Sequence, residues 1–235
     1  VQTIGEAEPV DLLAGSELLS LPGYDGVRSA GSSRLHPVWT PDGEALVFVA
    51  SSNRDRFAHD WTSNDLWLVP ATGGEPERLT GDGSGGDSWA SPQFSPDGDS
   101  LYARRSPRTE FVFNATRLVE LEWPGLSERR EITLPGARSV RDFAIAPDSN
   151  SVYLLGQDAG LIRVYVARPG DSAAVEAFDQ AQGVYSNLSI ARNADNPVLL
   201  GSYEEATNFA EVVRVDVAAG GHQPFTAFTA PHLAE

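Results

Sequence analysis

Neither cysteine nor methionine occurs among the 235 residues. Without cysteine there is no disulfide framework and no thiolate metal site, so the redox compartment stays open. Without methionine the translational start is missing, and the chain reads as cut out of something longer. Basic residues are also scarce, with 17 Lys and Arg, mostly scattered Arg, against 33 Asp and Glu. The resulting net charge of −16, with a pI near 4.5, disfavours nucleic acid, because phosphate binding needs clustered cations. Arg104-Arg105 and Arg129-Arg130 are only short pairs and read as solvated strand or loop positions. No apolar run approaches the ~20 residues that a membrane span requires, and no signal peptide is visible. A sustained 3.6-residue apolar period is absent as well; Ala173 to Ala181 is the one short helix candidate.

What the chain does have is a turn written twice. Thr40-Pro41-Asp42-Gly43 lies between Pro37-Val38-Trp39 and the apolar run Ala45 to Ala50. Ser95-Pro96-Asp97-Gly98 lies between Pro92-Gln93-Phe94 and Leu101-Tyr102-Ala103. Pro presets φ for the first corner, Asp bonds its own backbone, and Gly takes the position with positive φ. Two weaker copies follow. Ala146-Pro147-Asp148-Ser149 leads into Ser151 to Leu155, and Arg192 to Asn196 leads into Pro197-Val198-Leu199-Leu200. Aligning Trp39, Phe94, Ile145 and Ile190 gives spacings of 55, 51 and 45, and these four should occupy equivalent, substantially buried positions.

Each copy supplies a third and a fourth strand: Asp65 to Val69 and Glu75 to Thr80, then Ala115 to Leu121 and Arg129 to Thr133. The later pairs are Leu161 to Ala167 with Ala174 to Phe178, and Glu211 to Val217 with Gln223 to Phe225. Four short strands per unit make one propeller blade. The expectation is an all-β, partial β-propeller of about four complete four-stranded blades plus part of another. Residues 1–36 are read as the end of a preceding blade and a linker, with Pro9 to Leu13 as an outer strand, and residues 37–235 as consecutive blades at about 37–88, 89–139, 140–183 and 184–230.

Chemical signals are few. No Gly-x-Ser-x-Gly pentapeptide is present, so the strained nucleophile turn of α/β-hydrolases is missing. Gly81-Asp82-Gly83-Ser84-Gly85-Gly86 has Asp82 in place of the first glycine; a hydrolase elbow or a calcium loop using Asp82 and Asp87 competes with an inter-blade linker, and the ligand spacing favours the linker. His36, His59, His222 and His232 form no i, i+4 pair, so no metal site and no cofactor is expected. The long loop Ser51 to Asn64 carries His59, Asp60 and Trp61, candidates for contact with a substrate or partner; the competing reading is a solvated insertion. Tyr203, Glu204 and Glu205 are assigned to the corresponding loop of the last blade, where paired carboxylates suit a peptide's free amine or simply face water. Asn114-Ala115-Thr116 and Asn187-Leu188-Ser189 match the glycosylation triplet but adjoin expected strands and are taken as coincidental.

Pro37 to Gly43, followed by Asp65-Leu66-Trp67 and Gly73-Gly74-Glu75-Pro76-Glu77-Arg78-Leu79-Thr80, resembles one blade of a TolB-type propeller. Such blades also form the amino-terminal domain of prolyl oligopeptidase family serine peptidases. Arg141 to Asp148 with Tyr153-Leu154 and Asp158-Ala159-Gly160 is similar to acylaminoacyl-peptidase and dipeptidyl-peptidase relatives. Ala210 to Asp216, then Ala219-Gly220 and Phe225-Thr226-Ala227-Phe228, looks like their last propeller strands, although Phe228-Thr229 stands where the family commonly writes Asn.

The resemblance, which runs from Pro9 onward, implies a non-catalytic propeller that caps a hydrolase active site and restricts access to short peptides. The catalytic Ser, Asp and His would lie in an α/β-hydrolase domain absent from this chain, so no catalytic residue carries over and the chain should be inactive alone. Its implied partners are that hydrolase domain and a peptide substrate. The alternative is a TolB-like periplasmic propeller that binds proteins and is no enzyme. Cytoplasmic and periplasmic locations both stay open. A propeller cut before its first blade should expose strand edges and self-associate through its terminal blades.

Overall fold

The computed structural model describes residues 8–29, 32–191 and 198–228; the fourth expected turn at Arg192 to Asn196, with Pro197, Thr229 and His232, lies outside them. The fold is an all-β propeller type. Hydrogen-bonded strands form antiparallel sheets, and the one α-helix among the described residues is a single turn, α1 (Glu17–Ser20).

The first sheet runs β1 (Tyr24–Asp25), β5 (Ala45–Ser52), β6 (Asp65–Pro70) and β7 (Glu77–Arg78), and β4 (Val38–Trp39) also pairs with β5. Between β1 and β4 a small hairpin, β2 (Val27–Ser29) with β3 (Ser32–Arg34), leaves and returns. The first strand of this sheet is therefore split: Tyr24 pairs with Ser52 at one end of β5 and Trp39 with Leu46 at the other, and the Val49 N–H donates to the Leu35 carbonyl between them. Residues before 37 thus contribute to this sheet. Pro9 to Leu13 is not a strand. Asp11 accepts the Leu13 N–H at 3.0 Å and starts a turn whose Leu13 and Leu18 are buried with Phe48, Ala50, Trp67 and Val69. The turn is favoured because it takes both leucines out of water.

The second sheet is β8 (Ser88–Phe94), β9 (Ser100–Ser106), β10 (Arg117–Glu122) and β11 (Glu128–Ile132), in sequence order. The third contains β12 (Val140–Ile145), β13 (Val152–Asp158), β14 (Leu161–Ala167) and β15 (Val175–Glu176), followed by β16 (Val184–Ile190), β17 (Leu199–Glu205), β18 (Asn208–Asp216) and β19 (Gly221–Pro224). These two sets of four are joined by one parallel bridge, Ile162 to Val184. The helix candidate at 173–181 is replaced by β15, where the Ala174 and Ala177 N–H groups donate to Thr133 and Val164 carbonyls. Alanine's helix propensity is too small to outweigh tertiary pairing.

The repeated turn has the expected geometry. The Gly43 N–H donates to the Thr40 carbonyl and the Thr40 N–H to Ala45, while the Asp42 carboxylate accepts the Glu44 N–H. The third copy repeats all three bonds, with Ser149, Ala146 and Asp148 in the corresponding roles. Gly43 and Gly98 sit at φ 74 and 83, and Ser149 adopts φ 56 where the glycine stood. Beyond these turns Trp39 faces Leu46, Phe94 faces Leu101, Ile145 faces Val152 and Ile190 faces Leu199, so the four hold equivalent register positions. Their burial differs. Phe94 and Ile145 are 3% and 4% exposed, Ile190 is half-buried, and Trp39 is 44% exposed. The two-residue β4 ends at Trp39 with little packed over the ring, whereas Phe94 is enclosed by its cluster and meets Trp123 edge-on at 4.9 Å.

The chain divides into two compact units, the first mainly up to Arg129 and the second from Arg130 onward. The first holds a core of Val47, Val49, Leu66, Trp89, Phe94, Leu101, Ala103, Val119 and Leu121. It also contains a buried ion pair between Asp65 and Arg78. Asp65 has a side chain 2% exposed, while the Arg78 guanidinium also donates to Ser52 Oγ and lies 4.2 Å from the Trp67 ring centre. Burial pushes the Asp65 carboxyl up to about 6 despite the opposing pull of Arg78. The two arginine pairs lie on strands, as expected, with Arg129 exposed and the others half-buried: Arg105 stacks on Trp89 and pairs with Glu128, Arg129 donates to Ser100, and Arg130 to the Arg168 and Asp171 carbonyls. In the second unit, Ala144, Leu155, Val164, Tyr185, Leu199, Val213 and Val215 form the core.

Candidate functional site

The long loop of the first unit follows β5 and spans residues 53–64. Its neck is closed by polar side chains. Buried Asn53 accepts from Ser51 Oγ and the Ser63 N–H and donates to the Gly83 carbonyl, while Arg54 donates to Thr62 Oγ1 and Asn64 Oδ1. With the neck fixed, the tip stands in water: His59 and Asp60 are exposed, and Phe57 and Trp61 are 73% and 46% exposed. Phe57, His59, Asp60, Trp61 and Thr62 line an open hollow of about 410 Å³.

The loop after β9 in the same unit touches this tip. Arg108 lies 3.7 Å from the Asp60 carboxylate, donates to the Gly85 carbonyl at 2.5 Å, and gives its N–H to Asp87. Thr109 and Asn114 brace the turn that follows, Asn114 donating to the Phe111 carbonyl. That braced turn holds Phe111, Val112 and Phe113 at 64%, 75% and 93% exposure. An ordered, water-facing apolar tip suits binding. His59 has no carboxylate or hydroxyl partner among the described residues, so the tip holds no general-base pair. The sequence candidates His59, Asp60 and Trp61 lie on this exposed tip; Phe111 to Phe113, an unbroken apolar triplet inside a loop, were not among the candidates.

Tyr203, Glu204 and Glu205 lie in the second unit, inside β17 rather than in a loop; β17 and β18 are joined by Ala206 and Thr207 alone. The tight hairpin leaves them no loop to occupy. Glu204 is exposed, Glu205 accepts from Asn208 and Gln182, and Tyr203 is turned into an aromatic cluster. There the rings of Tyr203 and Tyr185 are 4.9 Å apart, and His222 lies 4.1 Å from Tyr203. Burial raises both tyrosines and lowers His222, with Glu205 pulling His222 the other way. The two candidate groups belong to different units. His222 was passed over in the sequence because its partners are distant along the chain.

Gly183 shows how tightly Tyr203 is seated. It sits at φ 79, and a Cβ there would lie 2.3 Å from the Tyr203 hydroxyl oxygen. Gly183→Ala is expected to cost about 2–3 kcal/mol in urea denaturation, of which about 1–2 is the left-handed backbone. In a Tyr203→Ala background the cost should fall to the backbone part alone. Equal costs in both backgrounds would mean that the ring is not what Gly183 accommodates.

Also in the second unit, an open cleft of about 1000 Å³ is lined by Tyr153, Val166, Arg168, Leu199, Arg214 and neighbouring residues. Among the described residues no group of three or more His, Asp or Glu side chains is placed to hold a metal ion, and no helix is long and apolar enough to cross a membrane.

The architecture is that of TolB-type propellers and of peptidase propeller domains. A TolB-type structure from Agrobacterium tumefaciens matches 85% of this chain and 68% of its own, with TM-score 0.59 and 17% identity. A puromycin-hydrolysing peptidase from Mycobacterium tuberculosis matches 84% of the chain at TM-score 0.59 and 19% identity, and an acylaminoacyl peptidase 85% at 0.58 and 18%. The chain spans only 30% and 28% of those two peptidases. At such identities what is shared is the fold. No protein-family model matches the sequence, and a search of curated proteins finds no match.

Proposed function

We propose that this chain is the non-catalytic propeller domain of a prolyl oligopeptidase-type serine peptidase, covering the active site of an α/β-hydrolase domain and admitting only short peptides. The observation that carries this reading is the match of over four-fifths of the chain to the propeller part of such peptidases, together with the last-blade sequence that resembles theirs. His59, Asp60 and Trp61 are the proposed contacts with the hydrolase domain or substrate, and Tyr203, Glu204 and Glu205 a second group. The boundaries 37–88, 89–139, 140–183 and 184–230 are proposed as its blades. Self-association through terminal strand edges belongs to the same reading, as does a cytoplasmic or periplasmic location.

A second reading, a TolB-like protein-binding propeller, is favoured by the larger share of the Agrobacterium structure that the chain covers. The gene downstream of this segment separates them: the peptidase reading requires a Gly-x-Ser-x-Gly elbow there. If it is present, the full protein should cleave short chromogenic peptides but not casein, and cutting out the propeller should admit casein. The chain by itself should give no turnover of aminoacyl chromogenic substrates and no labelling by a serine-directed covalent inhibitor. Labelling of one serine with turnover would overturn the non-catalytic assignment.

A further inference from the structure

Tyr185 on β16 is 1% exposed, and its hydroxyl meets His222 Nδ1 at 2.6 Å. A buried phenol needs a partner for its proton, and the unprotonated Nδ1 of a neutral imidazole accepts it. The imidazole is packed at the same time against Tyr203, with Tyr185 at 5.6 Å between centroids and Phe178 beyond it. His222 belongs to β19, a four-residue strand at the end of its sheet, laddered only to β18 through Val213 to Asp216. Phe225 and Thr226 extend this seam by donating to the Val212 carbonyl, and the Thr226 hydroxyl bonds Glu211. The Tyr185 bond is the side-chain anchor that reaches from β19 into the core.

We infer that His222 is an acid-sensitive latch: neutral, it fastens β19 to the sheet through the Tyr185 hydroxyl, and on taking a proton it releases β19 and opens the outer edge of β18. A protonated imidazole has donors on both nitrogens, so the bond persists only with the Tyr185 oxygen accepting from Nδ1–H, and the phenol proton is then left without its acceptor inside the core. The new charge must also sit partly desolvated among aromatic rings. From β16 the imidazole faces Tyr185, and from β17 Tyr203 and the Glu205 carboxylate; Phe178, from the segment before β16, packs on the Tyr185 ring. On β18 its partner is Val215, and the alternation of a strand turns Arg214 and Asp216 to the other face. Only Glu205 favours the cation, and burial outweighs it, holding His222 below the usual histidine range. The folded state therefore binds this proton less readily than the unfolded chain. The latch is fully closed above about pH 6.5 and weakens as pH falls below it. Release would bare backbone groups of β18 beside exposed Phe209, an edge able to accept an extended strand.

Amide exchange followed by NMR on the isotopically labelled chain tests this, with the His222 imidazole titrated in the same samples. Between pH 7.5 and pH 5, protection factors corrected for intrinsic exchange should drop at least about tenfold for the amides that cross the seam, Arg214, Asp216, Gly221 and Gln223, while the β13–β14 ladder holds. His222→Asn, which keeps an acceptor near the Nδ1 position and cannot be protonated, should retain protection at both pH values. Protection that is independent of pH in the natural chain, or the same fall in His222→Asn, would overturn the latch. Should the variant not fold, the natural chain still decides: an imidazole titrating at or above 6.5 would mean that protonation does not oppose docking of β19.

Discussion

Replacing Arg78 with alanine should remove about 3–5 kcal/mol of stability at pH 7.5, because it strands the Asp65 carboxylate in the core of the first unit. Asp65 has one oxygen on Arg78 and the other without a hydrogen-bond partner. Its charge is therefore tolerated only through the guanidinium, which is itself stacked on Trp67 and tied to Ser52. The pH dependence has a definite sign. The Asp65 carboxyl is pushed up to about 6 in the fold against 3.8 unperturbed, so the folded chain binds this proton more tightly than the unfolded one. Its contribution favours folding below the unfolded value and is lost as pH rises through 6. In Arg78→Ala the carboxyl should titrate higher still, so acidification to pH 5 should recover part of the loss. Urea denaturation at pH 5 and 7.5 measures both. Joint replacement by Asp65→Leu and Arg78→Met should restore most of the stability, as apolar residues of similar size need no counter-charge. A loss below about 1 kcal/mol for Arg78→Ala at pH 7.5 would show that water reaches Asp65.

Phe94→Ala should cost about 3–5 kcal/mol, and Trp39→Ala about 1 kcal/mol or less, although the two residues hold the same register position after the same turn. Deleting the Phe94 ring leaves a void among Trp89, Leu101, Val119 and Leu121 and strips Trp123 of its edge-on neighbour. Deleting the Trp39 indole uncovers surface that already meets water. Chemical denaturation of the two variants, compared at equal slope, gives the contrast. Equal losses would mean that Trp39 is enclosed in solution.

That contrast marks the limit of what the sequence discloses. Turn chemistry is local: Pro41-Asp42-Gly43 specifies its own hydrogen bonds, so hairpins and strands such as β5, β9 and β14 could be read directly, β14 with the same bounds. Burial is not local. Whether an aromatic after the turn is enclosed depends on strands far along the chain, and Trp39 and Phe94 differ there. The split first strand escaped notice because Tyr24 finds Ser52 only through a distant pairing with no periodic signature. Tyr203 to Glu205 were misplaced because nothing in Tyr-Glu-Glu announces a strand, and Thr207 closes the hairpin without glycine or proline. The His222 cluster draws on β16, β17 and β19, three segments with no common motif.

The repeated turns have a bearing on how the chain is made. In each of the first three hairpins the partner of the residue before the turn arrives seven positions later, as Leu46 does for Trp39, Leu101 for Phe94 and Val152 for Ile145. Such short loops close in well under a microsecond, and hairpins form in about 1–10 μs, against roughly 50–200 ms for a ribosome to add one residue. Each hairpin therefore forms and reopens many times before the next has been translated, since two strands alone are only marginally stable. Joins such as Tyr24 with Ser52, Ala174 with Thr133 and Ile162 with Val184 must wait for later sequence, so local hairpins come first and their packing follows.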